Sequence, residues 1–265
     1  MIVVAGVALG TGLLLGSVLT QLPALAVVAL FAVAVAATQA ARRMRIGGLL
    51  VFLVVPMVGA GLGIDDVSEA MEAWLLISGG AVITWVVALA WPQESEQPRG
   101  GPLAGRDLTE YGVRLGLAGA LCAAISYLAG FDHEGWAAAA CLLVMRPNQD
   151  LLRLRSAGRA IAVSAGAAAA AVVFELDVPT GVMAALLVLD LALLAGTRAS
   201  RWYVTGGFTT FIVLSLMLHS DPDHSGRTIA ERLVETLLGV GVALVFGAFT
   251  LRRPSPRLLQ ERSKT

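Results

Sequence analysis

Long apolar runs, separated by short polar connections, dominate the chain. Runs of this length predict membrane-spanning helices, because a helix needs about 20 apolar residues, with about 17 tolerated, to cross the hydrocarbon core. The runs are continuous, whereas the strands of a membrane barrel alternate apolar and polar residues, so a barrel is excluded. The expected fold is an all-α, polytopic transmembrane bundle of about ten helices. We place them at residues 2–20, 23–40, 46–63, 73–91, 109–130, 134–146, 159–175, 180–196, 203–219 and 229–250.

Composition supports a membrane location. Hydrophobic residues make up 57% of the 265 residues and charged residues only 14%, whereas a soluble domain carries about 25% charged residues. The formal net charge is zero, which argues against a nucleic-acid partner. The sixth run, with the uncharged core GWAAAACLLVM, is short. It is expected to span only in part or to thin the membrane locally.

The basic residues are distributed unevenly between the connections. Seventeen of the 19 lie on alternate connections or beside them, and only Arg227 and Arg232 lie on the opposite side. The other connections are mostly acidic, as in IDDVSEAME and ELDVP. This alternation is the positive-inside pattern. It predicts a multi-pass protein of the inner (plasma) membrane with both termini in the cytoplasm.

Two parts of the chain resemble each other. QAARRMRIGGLLVFLVV at 39–55 matches RASRWYVTGGFTTFIVL at 198–214, each with a basic loop, a Gly-Gly pair and an apolar helix. The match predicts a first transmembrane repeat at 1–91, a cytoplasmic linker at 92–108, a second, six-segment repeat at 109–251 and a basic tail at 252–265. The first repeat lacks counterparts of the first two helices of the second. We expect those helices either to precede Met1, through an earlier translation start, or to have been lost.

The second unit resembles the fusaric acid resistance and aromatic acid exporter family. The resemblance rests on GWAAAACLLVMRPNQDLLRLRSAGRAIAVSAGA, RWYVTGGFTTFIVLSLML and ERLVETLLGVGVALVFG. The residues that carry it are Trp136, Arg146, Pro147, Arg159, Gly166, Arg232, Glu235 and Gly239. Two departures stand out: Ala162 and Val163 replace a usual Gly-Thr pair, and the cytoplasmic domain of larger members is absent. The resemblance implies efflux of small, often aromatic, organic anions across the inner membrane, by a secondary or channel-like mechanism.

Asp190 and Arg114 are candidates for transport or coupling, since ionisable residues inside a membrane are functional candidates by default. One hypothesis is that the two side chains pair with each other. The other is that Asp190 is a protonatable site that couples transport to proton flow. The alternative for Asp190 is a structural polar tie or a carboxylate that faces the lipid headgroups. Near the outer end of the last helix, Arg232 is expected to bridge Glu231 and Glu235, unless another helix pairs with one of them.

The hydroxyls of Thr205, Thr209 and Thr210 are candidates for lining a substrate path, although hydroxyls in membrane helices more often bond helix to helix. The three histidines, all near outer connections, are expected to be solvated. The sequence contains no phosphate-binding loop, nucleophile elbow or metal-ligand spacing, so no enzyme, cofactor or metal site is predicted. The expected partners are the lipid bilayer and a small organic anion, and a homo-oligomer is left open. The rival function is a non-transporting membrane scaffold for cell-envelope assembly.

Overall fold

The computed structural model describes residues 2–44, 47–90, 107–197, 204–220 and 222–248. Within these ranges the chain forms ten helices and no strand, which confirms the all-α prediction. The helices are α1 Ile2–Thr20, α2 Pro23–Ala41, α3 Gly47–Gly61, α4 Val67–Ala90, α5 Asp107–Ala129, α6 Gly135–Val144, α7 Gln149–Glu175, α8 Thr180–Thr197, α9 Thr205–Ser220 and α10 Ser225–Ala248. The predicted tail at 252–265, and the predicted linker as far as residue 106, lie outside the described residues.

In the part of the chain that the structure describes, six helices are long and apolar enough to cross a membrane: α1, α2, α4, α7, α8 and Leu108–Ala129 of α5. Helices α3, α6 and α9 are shorter but also apolar. The first half of α10 carries Arg227, Glu231, Arg232 and Glu235. The structure thus supports a multi-pass arrangement in which α10 brings charged groups into the bundle.

The start of α7 differs from the prediction. The helix begins at Gln149 rather than at residue 159, so the leucine and arginine stretch expected to lie at the interface continues into the spanning helix. Asn148 explains the early start, because its side-chain oxygen accepts hydrogen bonds from the amides of Asp150 (2.9 Å) and Leu151 (3.1 Å). Such a cap satisfies amides that have no partner inside the helix.

Helix α3 contains a wide turn in its middle. Leu50–Val54 is π-helical, and the amide of Val55 donates to the carbonyl of Leu50. The turn lies directly before Pro56, whose ring lacks an N–H and would clash with a carbonyl in a regular helix. The extra residue in the turn accommodates this proline, and Phe52 within the turn lies beside Arg146, which follows α6.

Helix α6 is the centre of the bundle. It packs against α3, α5 and α10. Eight of its ten residues are buried: Gly135 and seven of those from Ala137 to Val144. A helix that is apolar all round is expected to be buried. The short sixth segment is therefore enclosed by other helices and has little surface for lipid.

Helices α4 and α8 lie at the edge of the bundle. The principal contact of α4 is with α1, and that of α8 is with α9. Large apolar side chains on both helices are exposed, among them Leu76 (77%) and Val188 (67%). In a membrane protein such faces are the ones that lipid covers.

Several helix contacts depend on glycine. A β-carbon on Gly166 of α7 would overlap the backbone of Gly207 in α9, and one on Gly239 of α10 would overlap the backbone of α6. Small residues of this kind let membrane helices approach closely. Helix α1 packs against α3 and α4, and α7 packs against α9 and α10. The internal repeat stays a prediction.

Candidate functional site

Arginines gather where α6 leads into α7, at the end of the bundle that the charge pattern predicts to be cytoplasmic. The guanidinium of Arg146 lies 4.4 Å from the centre of the Phe52 ring, and its Nη1 donates to the carbonyl of Met145 (2.6 Å). Burial, and to a smaller extent the positive charge of Arg155, lower the pKa of Arg146 to about 10. Positive charge is therefore concentrated at this end, and Pro147 and Asn148 then turn the chain into α7.

A cavity of about 250 Å³ opens beside these arginines, between α6, α7 and α9. We call it the arginine cavity. Its lining consists of Leu143, Val144, Arg155, Arg159, Thr205, Gly206 and Thr209. Two guanidiniums and two hydroxyls thus face a space whose remaining walls are apolar side chains and glycine.

Arg159 is the deepest charged group of the arginine cavity. Sixteen residues separate it from Glu175 at the far end of α7, about 24 Å at about 1.5 Å per residue. Arg159 thus lies within the about 30 Å of hydrocarbon that a membrane helix crosses. Its Nε is buried without a hydrogen-bond partner, and among the described residues no carboxylate lies within ion-pair distance of its guanidinium.

A second guanidinium, with a buried Nε, acts on Arg159 from α10, which packs against α7. The positive charge of Arg232 reaches Arg159 across this contact. Two like charges inside a low-dielectric bundle repel each other. An anion between α7 and α9 would relieve this repulsion, so the electrostatics of the cavity favour a negatively charged ligand.

Two of the three predicted path-lining threonines line the arginine cavity. Thr209 Oγ1 donates to the carbonyl of Thr205 (3.0 Å), so its hydroxyl proton is used within α9 and its lone pairs remain available. Thr210 is fully buried elsewhere and its hydroxyl has no hydrogen-bond partner among the described residues. The structure thus separates Thr210 from the pair that it brings together with Arg159.

The glycines of α7 and α9 set the width of the arginine cavity. Gly206 faces Arg159, since a β-carbon there would lie 3.8 Å from Arg159 Nη1. The adjacent Gly207 lies against Ala162 and Gly166 of α7. Ala162 is one of the two residues that stand where the family pattern has Gly-Thr. It still permits a close contact between the two helices.

A second cluster lies near the opposite end of the bundle. The Arg232 guanidinium lies 4.6 Å from the centre of the Trp136 ring, and the His133 ring stacks on the same tryptophan with centroids 4.2 Å apart and an interplanar angle of 11°. We call these three residues the Trp136 cluster. The histidine expected to be solvated is thus partly enclosed, at the N-terminal end of α6.

Two carboxylates of α10 flank the Trp136 cluster, but Arg232 does not bridge them. Arg227 Nε donates to Glu231 (2.9 Å), and the amide of Asp132 donates to the same carboxylate (3.2 Å). Glu235 is fully buried and accepts a hydrogen bond from Ser126 Oγ of α5 (3.0 Å). Each carboxylate thus has a partner outside α10, as expected in the case where another part of the chain pairs with one of them.

Arg114 and Asp190 do not pair. Arg114 of α5 instead forms an ion pair with Glu110, one turn earlier in the same helix. Asp190 of α8 is 8% exposed, and its Oδ2 has no hydrogen-bond partner among the described residues. The pair fails because α8 packs against α9 at the edge of the bundle, whereas α5 packs against α2, α6 and α10.

The comparison with known families covers the part of the chain that forms the arginine cavity and the Trp136 cluster. A family model described as fusaric acid resistance protein-like matches residues 121–246, which include α6 to α9 and nearly all of α10. This part of the chain is similar to the fusaric acid resistance protein-like family. No curated protein and no solved structure matches the chain.

The family match and the membrane-crossing helices together identify a multi-pass membrane protein of transporter-like type. Six residues of the fusaric acid resistance-like pattern, Trp136, Arg146, Arg159, Gly166, Arg232 and Glu235, lie in or beside the two clusters or at the α7–α9 contact. Sequence reasoning did not single out Ser126, Phe52 or His133. Ser126 and Phe52 contact predicted residues only through the tertiary packing, and an apolar helix such as α5 gives no local sign of such a contact. His133 stacks on Trp136, which lies three residues further along the chain.

Proposed function

We propose that this fusaric acid resistance-like protein exports small organic acids, chiefly aromatic ones, across the inner membrane. The observation that carries the proposal is Arg159 in the arginine cavity: its Nε is buried without a hydrogen-bond partner, and no carboxylate among the described residues pairs with it. A buried charge without a partner is costly. A carboxylate ligand would supply the missing partner.

The lining of the arginine cavity suits an aromatic carboxylate. A guanidinium is planar and binds a carboxylate through two parallel hydrogen bonds, and the hydroxyl of Thr205, in the same lining, can donate a further one. Leu143, Val144 and Gly206 offer apolar surface for a ring. The volume of about 250 Å³ falls below the about 300–1,000 Å³ of pockets for drug-sized ligands, so the substrate is small.

We infer the direction of transport from the predicted orientation of the bundle. Under the positive-inside rule, the arginine end faces the cytoplasm, and both termini lie on that side. An acid would then enter the arginine cavity from the cytoplasm. Arg232, stacked on Trp136 nearer the other end, offers a second cationic station on the way out.

The mechanism that we propose is secondary or channel-like transport without catalysis. The chain contains no nucleotide-binding motif, so the energy would come from an ion gradient or from the gradient of the acid itself. The bilayer and the organic anion are the proposed partners, and a homo-oligomer remains open. A membrane scaffold for envelope assembly is the alternative, and transport measurements separate the two functions.

The proposal can be tested by flux measurements in proteoliposomes loaded with radiolabelled benzoate. The wild-type protein should release benzoate faster than protein-free liposomes, and benzyl alcohol should show no protein-dependent release. Arg159→Gln should slow benzoate release by about tenfold or more, because a charge-assisted hydrogen bond is worth about 1.5–3 kcal/mol.

Arg153→Gln is the matched control, since Arg153 is an exposed arginine of the same helix and should leave the flux unchanged. Imposing a pH gradient in either direction tells whether release is coupled to protons or follows the acid gradient alone. Absence of protein-dependent flux under every gradient would refute the exporter and favour the scaffold.

A further inference from the structure

A second, larger cavity lies between α7, α8 and α9. Its volume is about 620 Å³, and it shares no lining residue with the arginine cavity. Small residues of α7, among them Ala165 and Ala169, form its floor, and the side chains of Leu186, Phe208 and Phe211 form its walls. We call it the Asp190 groove, because Asp190 is the one ionisable residue among the described residues of this otherwise apolar lining.

Asp190 is buried in this groove without a partner. The residue is 8% exposed, and its Oδ2 is inaccessible to solvent and has no hydrogen-bond partner within the part of the chain that the structure describes. Asp190 lies seven residues before the end of α8, about 10 Å deep at about 1.5 Å per residue. A carboxylate at such depth needs a cation, a proton or water.

The described part of the protein supplies no cation for Asp190. Arg114 is engaged by Glu110, and Arg159 faces the arginine cavity, whose lining is separate from that of the groove. Lipid chains could fill the apolar space but would leave the carboxylate unsatisfied. A ligand that combines an apolar body with a cationic hydrogen-bond donor would satisfy both the carboxylate and the apolar lining.

We infer that the Asp190 groove binds a small hydrophobic amine. The apolar body of the ligand packs against the leucine and phenylalanine side chains, and its ammonium group donates hydrogen bonds to the carboxylate of Asp190. An aliphatic amine is protonated at neutral pH, so the ligand arrives with the complementary charge. The volume of about 620 Å³ lies within the range of about 300–1,000 Å³ typical of small-molecule sites. This inference does not depend on anion export.

The test compares three pyrene probes that differ only in their polar group: 1-aminomethylpyrene, 1-pyrenemethanol and 1-pyreneacetic acid. The purified protein is placed in nanodiscs of zwitterionic lipid, and probe retention in equilibrium dialysis is measured against empty nanodiscs. The amine should show saturable retention above the lipid background, and the alcohol and the acid should not.

Variants assign the binding to the groove. Asp190→Asn should weaken retention of the amine by about tenfold or more, whereas Asp190→Glu should keep it. Ala165→Phe, which fills the groove and leaves Asp190 in place, should also abolish it. Val188→Asn adds the same amide to the lipid-exposed side of α8 and should have no effect.

Equal retention of the amine and the alcohol, or undiminished retention in Asp190→Asn, would overturn the inference. Preferential retention of the acid in the groove would also overturn it. Arg159→Gln should leave amine retention unchanged, so failure of the anion exporter and failure of the amine site give different results.

Discussion

Gly239 provides a sharp test of how α6 and α10 pack. A β-carbon at this position would overlap the carbonyl oxygen of Ala137 and would lie 2.8 Å from the amide nitrogen of Cys141. Ordinary van der Waals contact begins at 3.4 Å, and the obstructing atoms belong to the backbone of α6. Gly239→Ala can therefore be accommodated only if the two helices move apart.

The cost of this separation can be compared with an internal control. Overpacking a close contact costs about 1–3 kcal/mol, whereas replacing glycine by alanine inside a helix gains up to about 1 kcal/mol. Gly241, two residues along the same helix, has nothing within 4 Å of an added β-carbon. Gly241→Ala should therefore be neutral or stabilising, and Gly239→Ala should be less stable than this control by about 1–3 kcal/mol.

Thermal unfolding of the two variants in the same detergent, followed by circular dichroism, measures the difference. The Tm of Gly239→Ala should fall below those of the wild type and of Gly241→Ala. Because α6 carries Trp136 and α10 carries Arg232, the same variant should also slow anion flux. If Gly239→Ala and Gly241→Ala had the same Tm, α6 would not lie against α10 as described.

Three further predictions concern the end of the bundle with the Trp136 cluster. Ser126→Ala removes the donor to Glu235 and should destabilise the protein by about 1–3 kcal/mol; an unchanged Tm would show that the hydrogen bond does not form. Trp136→Leu removes the ring beneath Arg232, worth about 0.5–2 kcal/mol, and should slow benzoate flux but leave amine retention intact; unchanged flux would exclude a role for Arg232 in the path. Burial raises the pKa of Glu134 above its usual 4.5, so the folded state binds more protons than the unfolded state and stability is lost as the pH rises above about 4.5. Glu134→Gln should therefore raise the Tm at pH 7 and flatten its pH dependence. A Tm of the variant that lies below that of the wild type by the same amount at pH 4 and at pH 7 would contradict this sign.

The helices could be predicted from the sequence because each apolar run is a local feature. The boundaries of the helices were harder to predict from the sequence, as α7 shows. Its start depends on hydrogen bonds from two backbone amides to the Asn148 side chain. The separation of Asp190 from Arg114 could not be foreseen, because depth along a helix gives no information about which helices are neighbours.

The candidate site was predictable only in part. Arg159, Thr205 and Thr209 were recognised for separate reasons, and the contact between α7 and α9 brings them to one cavity. Ser126, the partner of Glu235, lies 109 residues away from it along the chain. His133, the partner of Trp136, lies three residues away. The first of these contacts requires the packing of α5 against α10, which neither periodicity nor composition specifies.

The most direct test of a carboxylate site at Arg159 is a titration of the purified protein with benzoate by isothermal calorimetry. Wild type and Arg153→Gln should bind benzoate saturably and with the same affinity. Arg159→Gln should bind about tenfold to a hundredfold more weakly, and benzyl alcohol should give no binding heat. Benzoate binding that is as strong in Arg159→Gln as in the wild type, or that is missing from both, would contradict the proposed anion site.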